Sequence, residues 1–353
     1  MRRLALFLLT TLAPFLGIAI GFAFMEDLEI SLNTKALAVE TQPLSQSFET
    51  IQRDMKSIKA GMGILQLSLE EQEKQYKEQQ RLLQELIAKS QEQKELTEEV
   101  YEKLIVSRLG ELLYTWENDR TNIMVFFIQG AGYKGYAAKV KIFDPTSIKV
   151  VLANDTFGEA ETTLDAARRN NAVLAVNGGG FYFTSSGGSR QVVPLGNTVI
   201  AGNLVNEFIP SYEDIYFAGL DKDGLLVGDL VEDEKELWDL NPMYGVSFVP
   251  ILIKDRMPLD IPSKWKKERH PRTIIGQYAN GDLLFLVIDG RRQGWSNGIT
   301  LEQAQVKLMQ LGVVEAYNLD GGGSSTIAYD GEILNKPSDG YPRPVATNIV
   351  VLP

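Results

Sequence analysis

The sequence predicts an α+β, mixed-sheet domain carried behind an N-terminal transmembrane helix and a long α-helical coiled coil. Three observations predict it. Residues 4–24 contain no charge. Between Phe48 and Leu104, apolar residues recur at spacings of three and four. From about residue 120 the chain turns to short β-rich runs, two of which stop at glycine triplets.

The uncharged stretch comes first. About 20 apolar residues suffice to cross a bilayer. Arg2 and Arg3 precede the stretch, while Glu26, Asp27 and Glu29 follow it. Positive-inside bias then puts the N-terminus in the cytoplasm and the rest outside. A cleaved signal peptide is the rival reading, and Gly21 and Ala23 loosely fit its cleavage pattern. The run is longer than a usual signal core, which favours an uncleaved anchor over residues 1–25. Either way the expected location is the cell membrane, single-pass, with the C-terminal domain extracytoplasmic.

Residues 26–47, with Pro43 among Ser, Thr and Gln, read as a linker. A heptad seam follows through Phe48, Ile51, Met55, Ile58, Met62, Leu65, Leu69, Tyr76, Leu83, Leu86, Val100 and Leu104. Gln72, Gln79, Ser90 and Gln93 fall on the same seam and weaken its middle. No proline lies between Pro43 and Pro145, so one helix roughly 85 Å long is allowed over residues 48–105. Residues 48–115 are therefore read as a stalk that spaces the domain from the membrane and joins copies into a homo-oligomer.

The domain is expected over residues 120–353. Residues 137–143 and 148–153 read as strands separated by the turn residues Asp144, Pro145, Thr146 and Ser147. Residues 163–171 read as a short helix capped by Thr162 or Thr163, and 172–177 as a buried strand. Further strands are expected at 197–202, 213–219, 245–254, 272–278, 313–320 and 346–352. The run 283–289 is almost wholly apolar, as in a strand covered on both faces. Thr300 and Gly312 bracket a helix.

Composition narrows the chemistry. The 353 residues contain no cysteine, which excludes thiol nucleophiles, disulfides and Cys-based metal centres. His270 is the only histidine, so multi-histidine metal sites are excluded too. The net charge of −11 speaks against nucleic acid, whose binding rests on Lys and Arg releasing counterions from phosphates. Acid–base or nucleophilic work falls to Asp and Glu, supported by Arg, Asn, Ser and backbone amides.

Two buried strands end in a polar residue and a glycine triplet. Asn177 precedes Gly178, Gly179 and Gly180, with Tyr182 just beyond; Asp320 precedes Gly321, Gly322, Gly323, Ser324 and Ser325. Successive glycines let backbone amides approach an anion closely. Neither loop is a P-loop or a dinucleotide-binding fingerprint. A third strand end carries Asp289, Gly290, Arg291 and Arg292, where the arginines read equally as solvated turn residues or anion contacts. His270 lies between Arg269 and Pro271–Arg272, and Asp339 and Arg343 sit in a polar loop before the last strand.

Taken in series, NGGGFY, RHPRTIIG, VIDGRRQGWSNGIT, NLDGGGSSTIAYDGEILNKPSD and RPVATNIVV resemble the phosphodiester glycosidase family, that of N-acetylglucosamine-1-phosphodiester α-N-acetylglucosaminidase. The resemblance covers roughly residues 130–353. It implies hydrolysis of a sugar joined through C1 to a phosphodiester, with Asn177, Arg272, Asp289, Asp320, Ser324, Ser325 and Arg343 on matching motifs. The chain departs in having three glycines at 178–180 where two are expected, and in lacking the cysteines of the animal enzyme.

These residues suit that chemistry. A glycosyl–phosphate bond breaks through an oxocarbenium-like transition state that a carboxylate stabilises or traps. Phosphate leaves easily, so donors to the departing anion matter more than a strong acid. Asp320 is expected as nucleophile or base and Asp289 as its partner. Ser324 and Ser325, the glycine amides, His270, Arg272 and Arg343 are expected on the phosphate, with Asp339 beside them. Asn177 is expected on sugar hydroxyls and Tyr182 on the ring. A divalent cation on Asp320 or Asp289 is an alternative use of those carboxylates. The whole reads as a membrane-anchored hydrolase of bacterial envelope glycans. The alternative is a non-catalytic glycan-binding module displayed on the stalk.

Overall fold

The computed structural model describes residues 98–353 except 187, together with Arg53, Met55, Lys56, Lys59, Lys74 and Arg81. The expected anchor, linker and most of the stalk lie outside the described residues. Among the described residues no helix is long and apolar enough to cross a membrane.

Three sheets and a hairpin build the domain. The largest has eight strands, in spatial order β1 (Glu111–Glu117), β2 (Thr121–Gly130), β3 (Tyr133–Ile142), β16 (Leu283–Ile288), β15 (Arg272–Gln277), β17 (Glu315–Leu319), β13 (Ile251–Lys254) and β14 (Met257–Pro258). A second sheet has the order β19 (Glu332–Ile333), β18 (Ile327–Tyr329), β5 (Leu174–Asn177), β20 (Thr347–Val351) and β4 (Ile148–Leu152). The third has the order β11 (Leu226–Asp229), β10 (Tyr216–Asp221), β12 (Pro242–Phe248), β8 (Val199–Ile200) and β9 (Asn203–Leu204). The hairpin pairs β6 (Phe181–Ser186) with β7 (Ser189–Pro194). Four helices accompany them: α1 (Glu98–Arg108), α2 (Thr163–Arg169), α3 (Glu234–Asp239) and α4 (Leu301–Leu311).

The fold is α+β and sheet-rich, and the ladders between these strands are antiparallel rather than mixed in direction. The β16 run shows why an antiparallel strand here lacks a polar face. Leu283, Phe285 and Val287 enter the core shared by the three sheets, while Leu284, Leu286 and Ile288 face a second core under α1 and α4. Period-two alternation is present, but both destinations are apolar. In α4 the spacing of Leu301, Ala304, Leu308 and Leu311 lays one stripe on that second core. Thr300 and Gln303 close a capping box at its start, and Gly312 ends it at φ 87°. Thr162, not Thr163, caps α2.

Two boundaries depart from the sequence reading. The strand expected over 245–254 is two strands in different sheets, because Pro250 has no N–H to donate to a ladder. The helix expected to reach residue 115 ends at Arg108, and the domain starts well before 120. Residues 111–117 form an edge strand against β2, and Ile105 and Leu109 are buried in the second core. The helix is also fastened by charge. Lys139 is 1% exposed in mid-sheet, with its Nζ 2.7 Å from Glu102 Oε1 and 2.6 Å from Asp282 Oδ2.

Removing one partner of a buried ion pair strands the other charges in low dielectric and costs about 3–5 kcal/mol. Lys139→Ala is therefore expected to lose that much stability in urea unfolding followed by circular dichroism. A loss under about 1 kcal/mol would place Lys139 with weak surface pairs.

Candidate active site

Strand ends bring the motifs together. β15 begins where its neighbours finish, since Arg272 pairs with Ile288 of β16 and Thr273 with Leu319 of β17. In the second sheet β5 ends at Asn177, opposite Asn348 near the start of β20, and Ile327 at the start of β18 faces Val176.

The buried Asn177 amide ties these ends into one junction. Its Oδ1 accepts from Thr273 Oγ1 at 2.7 Å and from the Thr326 amide at 3.1 Å, and its Nδ2 donates to the Asp320 carbonyl at 2.6 Å. The expectation that it holds sugar hydroxyls is thereby corrected, because its hydrogen-bonding capacity goes into joining two sheets.

The first glycine triplet is corrected likewise. The Gly178 amide donates to Thr347 O, that of Gly179 to Thr347 Oγ1 and that of Gly180 to Ser247 O. A Cβ on Gly179 would lie 2.7 Å from Ser247 O. These glycines serve close packing, and no open anion nest forms there. Tyr182 is 46% exposed on the β6–β7 hairpin beside Phe183, and no described contact joins it to the junction.

The second triplet behaves differently. A Cβ on Gly321 would lie 3.8 Å from Arg272 Cα, one on Gly322 would lie 3.3 Å from Arg291 Nη1, and one on Gly323 would overlap Arg343 and Asp339. Gly321 backs onto the Pro271 carbonyl, Gly322 onto Arg291 and Gly323 onto Arg343 and Asp339. Gly322 also needs its left-handed φ of 62°. The amides of Gly322, Ser324 and Ser325 donate to carbonyls of Pro271, Gly321 and Gly322. The loop's pull on an anion comes from guanidinium groups more than from amides.

Arg272 is the most informative of them. It is 7% exposed, and among the described residues no ion pair holds it; its bonds to Ile299 O and Glu268 O are long, 3.5 and 3.3 Å, and Glu268 and Glu302 act on it only through space. Desolvation, with Arg291 nearby, pulls its pKa down to about 10, so it stays cationic at neutral pH. Arg291 Nη2 lies 3.1 Å from His270 Nδ1, whose other ring nitrogen meets Glu268 Oε2 at 2.8 Å. Arg343 pairs with Asp339 at 2.7 Å.

Desolvation pushes the Asp320 carboxyl up to about 6, against the opposing pull of Ser324, the Gly321 amide and Arg343. The hydroxyls of Ser324, Ser325 and Thr326 are buried without a fully formed hydrogen bond. Asp289, expected as catalytic partner, is instead saturated. Trp295 Nε1 donates to its Oδ2 at 2.7 Å, and Asn335 Nδ2 and the Lys336 amide donate to its Oδ1 at 3.0 and 2.9 Å. Burial raises its pKa in spite of them. Asp289 holds the loops after β16 and β19. Among the described residues no three His, Cys, Asp or Glu side chains cluster as metal ligands.

Sequence reasoning passed over Trp295, Thr273 and Thr326, and left Arg291 open between a solvated turn residue and an anion contact. The structure sets Arg291 against Gly322 and the His270 ring.

The two aspartates should respond oppositely. A carboxyl whose folded pKa exceeds its unfolded value opposes folding increasingly as pH rises from about 4 to 6, so Asp320→Asn is expected to melt higher than wild type at pH 7.5 and to lose that advantage at pH 4. Asp289→Ala leaves three buried donors unmet and is expected to lose about 3 kcal/mol or more at any pH. Equal loss from both substitutions would contradict this division.

Comparisons with known proteins agree with the geometry. The profile of the phosphodiester glycosidase family matches residues 170–352. The Bacillus subtilis SPbeta prophage-derived uncharacterized protein YomE is 30% identical over 217 residues, 60% of this chain and 32% of that one. Mouse N-acetylglucosamine-1-phosphodiester α-N-acetylglucosaminidase is 29% identical over 180 residues, 44% of this chain and 34% of that one. The chain thus spans about a third of the length of these relatives. The catalytic domain of the zebrafish enzyme of that name, in a form auto-inhibited by its pro-peptide, shares the fold. Its TM-score is 0.53 at 23% identity, over 69% of this chain and 87% of that one. By the profile match over half its length, this chain belongs to the phosphodiester glycosidase family.

Proposed function

We propose that the chain is a membrane-tethered, extracytoplasmic hydrolase that releases a sugar from a glycosyl-1-phosphodiester in envelope glycans, with N-acetylglucosamine-1-phosphate as the nearest substrate type. One observation carries the reading. A buried arginine that no ion pair among the described residues holds stands beside the loop of an aspartate that burial holds near pKa 6. The uncharged stretch 4–24 behind Arg2 and Arg3 supports the tether, and the heptads after Phe48 support an oligomeric spacer.

The sugar C1–oxygen bond breaks and its electron pair leaves with the phosphate oxygen. Arg272, Arg291 and Arg343 meet the charge of the departing phosphomonoester. Ionised Asp320 faces the positive charge developing at C1 and either adds there first or takes a proton from the entering water. By either route the oxygen from water ends on C1. Ser324, which already leans on the Asp320 carboxyl, and the buried Ser325 hydroxyl supply further donors. Asn177 and Asp289 position this constellation and touch no substrate.

The full-length chain, assayed on an N-acetylglucosamine-1-phosphodiester with and without chelator, is expected to release free sugar. In ¹⁸O-water the label should appear on the sugar, and label on phosphate would contradict C1–O cleavage. Since the ionised form of Asp320 is required, kcat/KM should fall as pH drops through about 6. Arg272→Met should cost about 10²- to 10³-fold in kcat/KM, the usual loss for one preorganised donor. Binding without release by the wild type would favour a glycan-binding module instead.

A further inference from the structure

A second group of cations without described ion pairs lies at the start of β3 and in the loop after β19, outside the machinery just described. Lys134 Nζ stands 4.3 Å and Lys336 Nζ 3.6 Å from the centroid of the Trp295 indole ring. The two ammonium groups are therefore no more than about 8 Å apart, close enough to repel. Neither has a carboxylate within 4 Å among the described ion pairs. The indole cannot swing away, because its Nε1 is bonded to buried Asp289. The cations continue toward the site. Arg292 donates from Nε and Nη2 to the carbonyl of Pro337, next to Lys336, and Arg291 precedes it in sequence, over Gly322. In a chain of net charge −11, like charges gathered on a fixed aromatic plate are a local feature that calls for an anion.

We propose that Lys134, Lys336 and Trp295 form a second anion subsite, which holds a neighbouring phosphodiester of a polymeric sugar-phosphate substrate while the scissile one lies at Arg272. The fixed indole holds the two ammonium groups together, and the lysines meet the phosphate. The substrate class becomes a repeating sugar-phosphate chain rather than a single phosphodiester. This rests on the hydrolase reading for the location of the scissile group, but the subsite can be tested by binding alone.

The test uses the full chain with Asp320→Asn, so that binding is read without turnover. The probes are a fluorescent tetramer of sugar-phosphate repeats and the corresponding single phosphodiester. The tetramer is expected to bind about tenfold tighter or better, corresponding to about one pair of charge contacts. Adding Lys134→Gln and Lys336→Gln should abolish that gap, leave the single phosphodiester unchanged and leave melting unchanged. Raising salt should narrow the gap in the parent only. A gap that survives the lysine substitutions overturns the subsite, and single-stranded DNA of equal charge binding as tightly overturns its assignment to a sugar-phosphate chain. With Asp320 restored, the lysine variant should hydrolyse the single phosphodiester at the parental rate. If no substrate is hydrolysed while the gap still depends on the lysines, the hydrolase reading falls and the subsite stands.

Discussion

A single buried carboxamide holds the site together. Asn177 receives bonds from Thr273 and the Thr326 amide and gives one to the Asp320 carbonyl, so two sheets meet at a fixed point. A buried amide without partners would cost a large part of a domain's net stability, so the junction has one low-energy arrangement. Asp320 and its loop inherit their position from it. Gly178 adds to the constraint by accepting from the Asp320 amide while donating to Thr347.

Around that junction the fold treats its buried charges in two ways. Asp289 and Lys139 are matched to partners on every side and serve the architecture. Asp320 and Arg272 are desolvated without full compensation, which drives the pKa of each toward its neutral form. Such incomplete satisfaction opposes folding and is tolerated where a ligand supplies what is missing. The contrast separates scaffold from site more sharply than residue type does, since two aspartates that follow the strands on either side of β15 fall on opposite sides of it.

Much of this was legible in the sequence. The apolar run at 283–289, the Thr300–Gly312 helix and the two strands stopping at glycine triplets appear where periodicity and capping put them. What was not legible is how each polar group spends its hydrogen bonds. Asn177 and Asp320 look alike as the last residue before three glycines, yet the first is consumed by Thr273 and Thr326, which lie 96 and 149 positions away. Likewise the residues at 178–180 and 321–323 are the same in sequence, but the first set yields space to Thr347, Ser247, Val246 and Phe248, while the second yields it to the Pro271 carbonyl, Arg291 and the Arg343–Asp339 pair. Residues 111–117 were misread because ELLYTWE lies on an exposed edge, without the buried alternation that marks an internal strand.

The central claim is that the arginine-flanked glycine loop receives the phosphate of a substrate whose anomeric carbon faces residue 320. A crystal structure of the Asp320→Asn chain soaked with a glycosyl-1-phosphodiester tests it most directly. The account predicts phosphate oxygens within hydrogen-bond distance of the Arg272 guanidinium and C1 turned toward residue 320. A phosphate bound away from Arg272, with the sugar remote from residue 320, would contradict it.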